Sequence, residues 1–426
     1  MSQKLALHGG EAVIGQAFPP YRSLGEEEIA AANRVLRTGV LSAYVGAAGE
    51  GFLGGPEVRA LEAEAAAYFG VRHAIAVNSW TSGLIAAVGA IGIAPGDEII
   101  VTPWTMAASA SAIVHWNAIP VFADIDPDTF TLDPGAVERA ITPRTRAIMS
   151  VDIFGQSADM DALRAIAQRH GLKLLSDTAQ APGARYRERF AGTFADIGGY
   201  SLNYHKHIHC GEGGILVTDD AGYAQRLRLI RNHAEAVISS DDPAQLVNMI
   251  GYNFRLGEIE SAIAREQLKK LAGKVASRQQ AAARVAAGLA GLPGLVLPRV
   301  AENCTHVYYV FGMKLDVQRL GVGRAAIVAA LRAEGVTGLG AGYQNVHRLP
   351  MFVHGLAYGP GGFPWSTDGG RTRRASTQPC PVAERLHERE FFYLGICAHE
   401  YDEAETRLLS AAFRKVWDNL PSLRAS

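Results

Sequence analysis

The sequence predicts an α/β fold: a seven-stranded, mainly parallel sheet covered by helices, followed by a smaller α+β domain. Three observations predict it. Short apolar segments of strand length recur seven times between residues 73 and 218. Stretches of helical length separate most of them, the alternation that builds βαβ units. The strands are apolar almost throughout, as strands covered on both faces must be.

Residues 1–55 are rich in Gly, Pro and small side chains and read as an N-terminal arm, with one helix over 25–37. A second helix opens at Pro56, whose missing N–H costs nothing in a first turn, and runs to Phe69. Gly70 suits the left-handed C-cap. Strands are expected at 73–77, 97–101, 119–123, 146–151, 172–176, 197–202 and 213–218, with helices at 81–91, 105–116, 159–169 and 221–232. After Gly251 the texture changes. A long Ala-rich helix is expected from Glu258 to Leu289, broken near Gly273, where glycine weakens a helix interior. Residues 354–379, rich in Gly, Pro and Thr, read as a long loop. The 426 residues exceed one compact core, so the expected division is an arm 1–55, a large domain 56–257 and a small domain 258–426.

Composition narrows the function. Hydrophobic residues are 48% and charged residues 19%, the balance of a globular enzyme. Lys plus Arg number 41 against 42 Asp plus Glu, and no basic run offers a nucleic-acid face. Cys210, Cys304, Cys380 and Cys397 are scattered without a CxxC pair, so neither zinc nor a disulfide framework is expected. Met1–Gly10 has no signal-peptide core, and no run of about 18 apolar residues could span a membrane. A soluble, cytoplasmic protein is expected.

The chemistry concentrates in 176–214. Asp177 ends one apolar strand, where open α/β sheets place ligands. Lys206 follows another strand end and precedes Gly211, Gly213 and Gly214, which let backbone approach a ligand closely. A surface lysine in a glycine-rich hairpin and an Asp serving as a helix N-cap are the plain alternatives. The pair also suits pyridoxal 5′-phosphate. Lys supplies the amine that forms an imine with its aldehyde. A carboxylate keeps its ring nitrogen protonated, so that the ring can accept electrons. NSWTSGL, residues 78–84, follows a strand and opens a helix, where N–H groups and the hydroxyls of Thr81 and Ser82 would face a phosphate. Ordinary capping would produce the same letters. Ser201 could add a hydroxyl, and Gln180, one helical turn from Asp177, could reach the ring.

Together with PGDEIIVTP, PVFADIDPDTF, DIFGQSADMDAL, SDTAQAPGARY, SLNYHKHIHCGEGGILVTDD, RNHAE and GYNFRLGEIESAIA, these residues resemble the DegT/DnrJ/StrS family of sugar aminotransferases. The resemblance implies the type I pyridoxal-phosphate fold. It makes Lys206 the Schiff-base lysine and Asp177 the pyridinium partner, sets Gln180 beside the ring, and sets Thr81, Ser82 and Ser201 at the phosphate. It also implies a homodimer in which Asn253 and Arg255 reach the partner's cofactor. Three departures stand out. Trp80 replaces a common Gly. Met106 stands where a ring-stacking aromatic is common, and is expected at the cofactor because a thioether can still pack on a ring face, though less rigidly, with compensation by Trp80 or Trp104 as the alternative. HKHIH replaces Lys followed by Asn.

His205, His207 and His209 alternate, but i and i+2 in an extended segment stand about 6–7 Å apart, and no metal is expected. They line the substrate entrance or bond locally. Tyr21, Tyr343, His347 and the 354–379 loop are candidates for the acceptor pocket, with core or surface roles as the alternative. The expected reaction moves an amino group from glutamate or glutamine to a keto-sugar or keto-cyclitol, with Lys206 as acid and base. A sugar dehydratase, in which relatives carry His for the lysine, a non-catalytic regulator and an amino-acid aminotransferase are the rival readings.

Overall fold

The computed structural model describes residues 3–367, 371–372 and 379–424. Its main sheet contains β1 (His73–Val77), β2 (Glu98–Val101), β3 (Ile119–Phe122), β4 (Thr145–Val151), β5 (Lys173–Asp177), β6 (Ile197–Ser201) and β7 (Gly214–Thr218). Their spatial order is β1-β7-β6-β5-β4-β2-β3. β7 runs antiparallel to both neighbours and every other pairing is parallel. Each strand lies within one residue, at either end, of the segment expected from its apolar run.

Helices α1 (Glu26–Thr38), α2 (Pro56–Phe69), α3 (Trp80–Ala90), α4 (Ala108–His115), α5 (Pro134–Ala140), α6 (Met160–His170) and α7 (Ala221–Arg231) surround the sheet. Gly70 closes α2 in the left-handed conformation at φ 67°. α5 was not expected from periodicity. Its start is nonetheless chemical, with Pro134 in the first turn and the Asp133 carboxylate accepting from Gly135 N and Ala136 N. The helix expected at 105–116 begins only at Ala108, which leaves 102–107 as a loop over the end of β2.

α8 (Glu258–Leu289) is unbroken. Gly273 sits on its exposed side, while Leu271 and Val275 on either side are buried and hold the helix through it. Its first half packs on α1 and α2 through Ala262, Ala264 and Leu268. Its second half joins another core with α9 (Arg324–Ala333) and α10 (Glu403–Asp418). That core lies against an antiparallel sheet of β8 (Leu295–Val296), β9 (Phe311–Leu315), β10 (Leu339–Ala341) and β11 (Phe391–Leu394), in the order β8-β9-β11-β10. Leu5, Ile14 and Phe18 of the arm are buried in the same core.

The stretch expected as a loop is partly built. Trp365 is fully buried with its ring edge-on to Phe352, and Ser366–Thr367 pairs with Arg371–Thr372. Residues 368–370 and 373–378 of that stretch lie outside the described residues. Among the described residues no helix is long and apolar enough to cross a membrane, and no group of His, Cys, Asp and Glu could hold a metal ion.

Candidate active site

β5 and β6 end side by side at Asp177 and Ser201, with Lys206 in the turn that follows. This is the C-terminal edge of the parallel strands, the edge at which open sheets bind ligands. A cavity of about 200 Å³ opens there between the start of α3, the loop before α4 and the ends of β5 and β6. Lys206, Asp177, Gln180, Ser201, Thr81 and Met106 all border it.

Lys206 is 7% exposed, and its Nζ stands 4.3 Å from the centre of the Tyr309 ring. Burial disfavours its charge and pushes its pKa down to about 8, against the pull of Asp177 and Cys397. No oxygen among the described residues accepts a hydrogen bond from this amine.

Asp177 is held from three directions. Trp80 Nε1 donates to its Oδ1 at 2.7 Å, the Ser109 hydroxyl donates to Oδ2 at 2.7 Å, and Ala179 N donates to Oδ1 at 3.2 Å. Gln180 is anchored by its Oε1, which accepts from Phe154 N at 2.9 Å, and its Nε2 donates to Tyr343 at 3.3 Å. The Ser201 hydroxyl accepts from Asn203 N at 3.3 Å.

At the start of α3, Ser79 is the cap, and its Oγ accepts from Ser82 N at 3.0 Å. Trp80 N and Thr81 N have no partner among the described residues, as expected of the first N–H groups of a helix. Thr81 borders the cavity, but Ser82 does not. Its hydroxyl turns back to Ser79 Oγ at 2.9 Å, so here the capping alternative describes the contact.

Met106 is 62% exposed at the cavity edge, with its sulfur against Ala108 N at 3.1 Å. Trp104 cannot replace a ring-stacking aromatic. It is fully buried among Phe130, Phe154, Tyr343 and Phe391 and does not reach the cavity. Asn253 and Arg255 also lie outside it, bonded to each other through Arg255 Nε and Asn253 Oδ1 at 2.7 Å.

The three histidines separate. His207 is fully buried with Nε2 at 2.7 Å from Val307 O, and burial pushes its pKa down to about 4. His209 is half-buried, its backbone N bonded to Gln267 at 3.2 Å. His205 is exposed and borders both the first cavity and an adjoining one of about 310 Å³, which contains Tyr309, Tyr343, Tyr393 and Cys397. Tyr343 thus lies beside the site. Tyr21 does not, since its hydroxyl donates to His207 O at 2.8 Å. His347 pairs with Glu384 at 2.9 Å, and no described residue of 354–379 borders either cavity.

A larger cavity of about 440 Å³ opens at the opposite end of the strands, with Arg72, Arg164 and Arg189 on its wall. Its carboxylates Asp196, Asp219 and Asp220 are occupied by backbone N–H groups, and it holds no amine like Lys206. Sequence did not single out Ser109, Tyr309 or Tyr393. None stands in a patterned motif, and only the fold brings them to the site.

Residues 24–372 match the model of the DegT/DnrJ/EryC1/StrS aminotransferase family. The chain is 41% identical over 297 residues to the dTDP-3-amino-3,4,6-trideoxy-α-D-glucose transaminase of Streptomyces venezuelae, covering 70% of this chain and 74% of that one. It is 37% identical over 341 residues to the UDP-N-acetyl-3-dehydro-α-D-glucosamine 3-aminotransferase of Acidithiobacillus ferrooxidans, covering 79% and 83%. The crystal structure of DesV from S. venezuelae superposes with a TM-score of 0.76 at 34% identity, over 92% of this chain and 94% of that one. The α/β architecture is that of the pyridoxal-phosphate-dependent aminotransferases. With the family model spanning most of the chain, this protein belongs to the DegT/DnrJ/EryC1/StrS aminotransferase family and is a sugar aminotransferase.

Proposed function

We propose that the protein uses pyridoxal 5′-phosphate held at Lys206 to move an amino group from glutamate or glutamine to a ring ketone of a nucleotide-linked hexose. The observation that carries this reading is an unpaired, buried amine sharing a small cavity with a carboxylate and the open N–H groups of a helix start. Those groups fit the cofactor. Trp80 N, Thr81 N and the Thr81 and Ser201 hydroxyls would hold its phosphate, helped by the helix dipole. Ser82 enters only through its cap to Ser79. Asp177 would meet the ring nitrogen. A carboxylate has about four lone-pair positions, and three here are taken, which leaves one on Oδ2. Gln180 would lie beside the ring, with Met106 at the open edge.

When bound, pyridoxal 5′-phosphate supplies an aldehyde that takes up the amino group and a ring that withdraws electrons from the carbon losing its proton. The chain's own residues do the rest. Lys206 anchors the cofactor through its amine and, once released, takes and returns the proton at the substrate carbon. Burial lowers its pKa to about 8, so the neutral, basic form is more accessible near neutral pH than for an ordinary lysine.

The adjoining cavity suits the sugar. Tyr309, Tyr343 and Tyr393 offer hydroxyls and ring faces, and His205 stands between the two cavities. Both relatives' names put the amino group on carbon 3 of a nucleotide-linked hexose, which favours a ketone at that carbon. The chain works as a homodimer in which Asn253 and Arg255 complete the partner's site. Both lie outside their own cavity, and Ile29, Leu36, Val40, Leu41 and Val45 are exposed apolar side chains of the kind an interface covers. The arm 1–55, the large domain 56–257 and the small domain 258–426 are the working units.

The test is a spectrum and an assay. Wild-type protein given pyridoxal 5′-phosphate is expected to gain a visible absorption band and to aminate UDP- or dTDP-linked 3-keto-hexoses with glutamate or glutamine. Lys206→Ala is expected to lose both. Retained turnover in that variant would sink the assignment, 4-keto-hexoses as the sole substrates would move the ketone, and a monomer in sedimentation would remove the shared site.

A further inference from the structure

We propose that Trp80 is a positioning residue for Asp177: its indole N–H, opposite the Ser109 hydroxyl, fixes the carboxylate so that one Oδ2 position remains for the cofactor's ring nitrogen. The inference rests on the cofactor reading of the cavity given above.

Trp80 Nε1 and Asp177 Oδ1 are 2.7 Å apart, a short charge-assisted hydrogen bond between two buried groups. The indole has little room to leave it. It fills a slot made by glycines: a Cβ at Gly199 would come within 2.5 Å of its Cη2 and Cζ3, and one at Gly83 within 2.9 Å of its Cε3. Gly199 is also the residue that pairs with Asp177 across β5 and β6, so the ring occupies the space beside the carboxylate that a side chain at 199 would claim. The opposite oxygen is held in the same way. Ser109 Oγ, itself 2.8 Å from Thr105 Oγ1, donates to Oδ2 at 2.7 Å. Donors on both oxygens oppose rotation about the carboxyl's own bond, and on Oδ1 the indole supplies the shorter of two bonds, 2.7 Å against 3.2 Å from Ala179 N.

Trp80 is, in addition, the first residue of α3, and its backbone N–H is one of the open groups at the cavity. One residue therefore joins the two ends of the site, the anion end through its backbone and the carboxylate end through its side chain. The indole N–H, a buried donor that needs an acceptor, is directed at Asp177 and at no other group.

The experiment titrates pyridoxal 5′-phosphate into the full-length protein after the bound cofactor has been removed, following visible absorption and the melting temperature. Trp80→Phe keeps an aromatic ring in the slot and deletes the donor. Replacing Trp80 by β-(3-benzothienyl)alanine keeps the bicyclic shape and deletes the N–H alone. Both are expected to weaken cofactor binding by about tenfold to a hundredfold, the scale of one buried charge-assisted hydrogen bond. Both are also expected to move the absorption band of the bound cofactor and to lower kcat with KM for the sugar unchanged. If Trp80→Phe fails to fold, the benzothienyl protein decides. Variants that bind within about twofold of wild type, with the wild-type spectrum, overturn the inference. A wild-type protein that takes up no cofactor overturns the cofactor reading and the inference with it.

Discussion

Lys206 carries a folding cost that its chemistry requires. Its pKa is lowered from 10.5 to about 8 because burial penalises the ammonium. Below pH 8 native and unfolded chains both hold the proton, and the native chain bears the whole penalty. Between pH 8 and 10.5 the unfolded chain binds more protons than the native one, so stability contributed by this residue rises with pH. Lys206→Met, compared with wild type after both are freed of cofactor, is therefore expected to be the more stable by up to about 3 kcal/mol near pH 7. The gap should close towards pH 10.5. Denaturant unfolding at both pH values checks it, and a gap that widens with pH would contradict the burial argument. At this scale the sequence spoke through chemistry. An amine and a carboxylate at two strand ends are legible from their letters. The Trp80–Asp177 bond is not, because it joins residues 97 apart and depends on Gly199, which only the fold brings under the ring.

Among elements, the strands were legible because a strand covered on both faces is mostly apolar, and β1 to β7 are buried along nearly their whole length, with only Arg146 of β4 and Lys173 of β5 exposed. α5, with seven residues, is too short to display a period. The expected break in α8 failed for a different reason. Glycine's intrinsic penalty is about 1 kcal/mol, and the buried residues on both sides of Gly273 outweigh it. A Cβ at Gly273 would meet nothing within 4 Å. Gly273→Ala is accordingly expected to stabilise the protein by about 0.5–1 kcal/mol by reducing the freedom of the unfolded chain. A thermal or denaturant melt measures it, and a loss of stability would mean that the helix needs flexibility there.

At the scale of the whole molecule, what the sequence could not display is how the chain's two ends join. Glu334, at the end of α9, is fully buried. Its carboxylate accepts from Ala6 N at 2.8 Å, Val13 N at 3.1 Å and Lys415 Nζ at 2.9 Å, and Lys415 also donates to Glu11 O at 2.6 Å. These contacts span 328, 321 and 81 residues, beyond the reach of any local pattern. One buried ion pair therefore binds the arm to α9 and α10, with Leu5, Ile14 and Phe18 packed around it. Glu334→Ala would strand the Lys415 ammonium and two backbone N–H groups, and is expected to cost about 3–5 kcal/mol. The arm, now held only by its apolar contacts, should become the first segment cut in limited proteolysis. Adding Lys415→Met removes the stranded charge, so the double variant is expected to recover part of the loss although it has one interaction fewer. If the double variant is instead as unstable as the sum of the singles, the carboxylate's bonds to the arm, rather than the ion pair, hold the termini together.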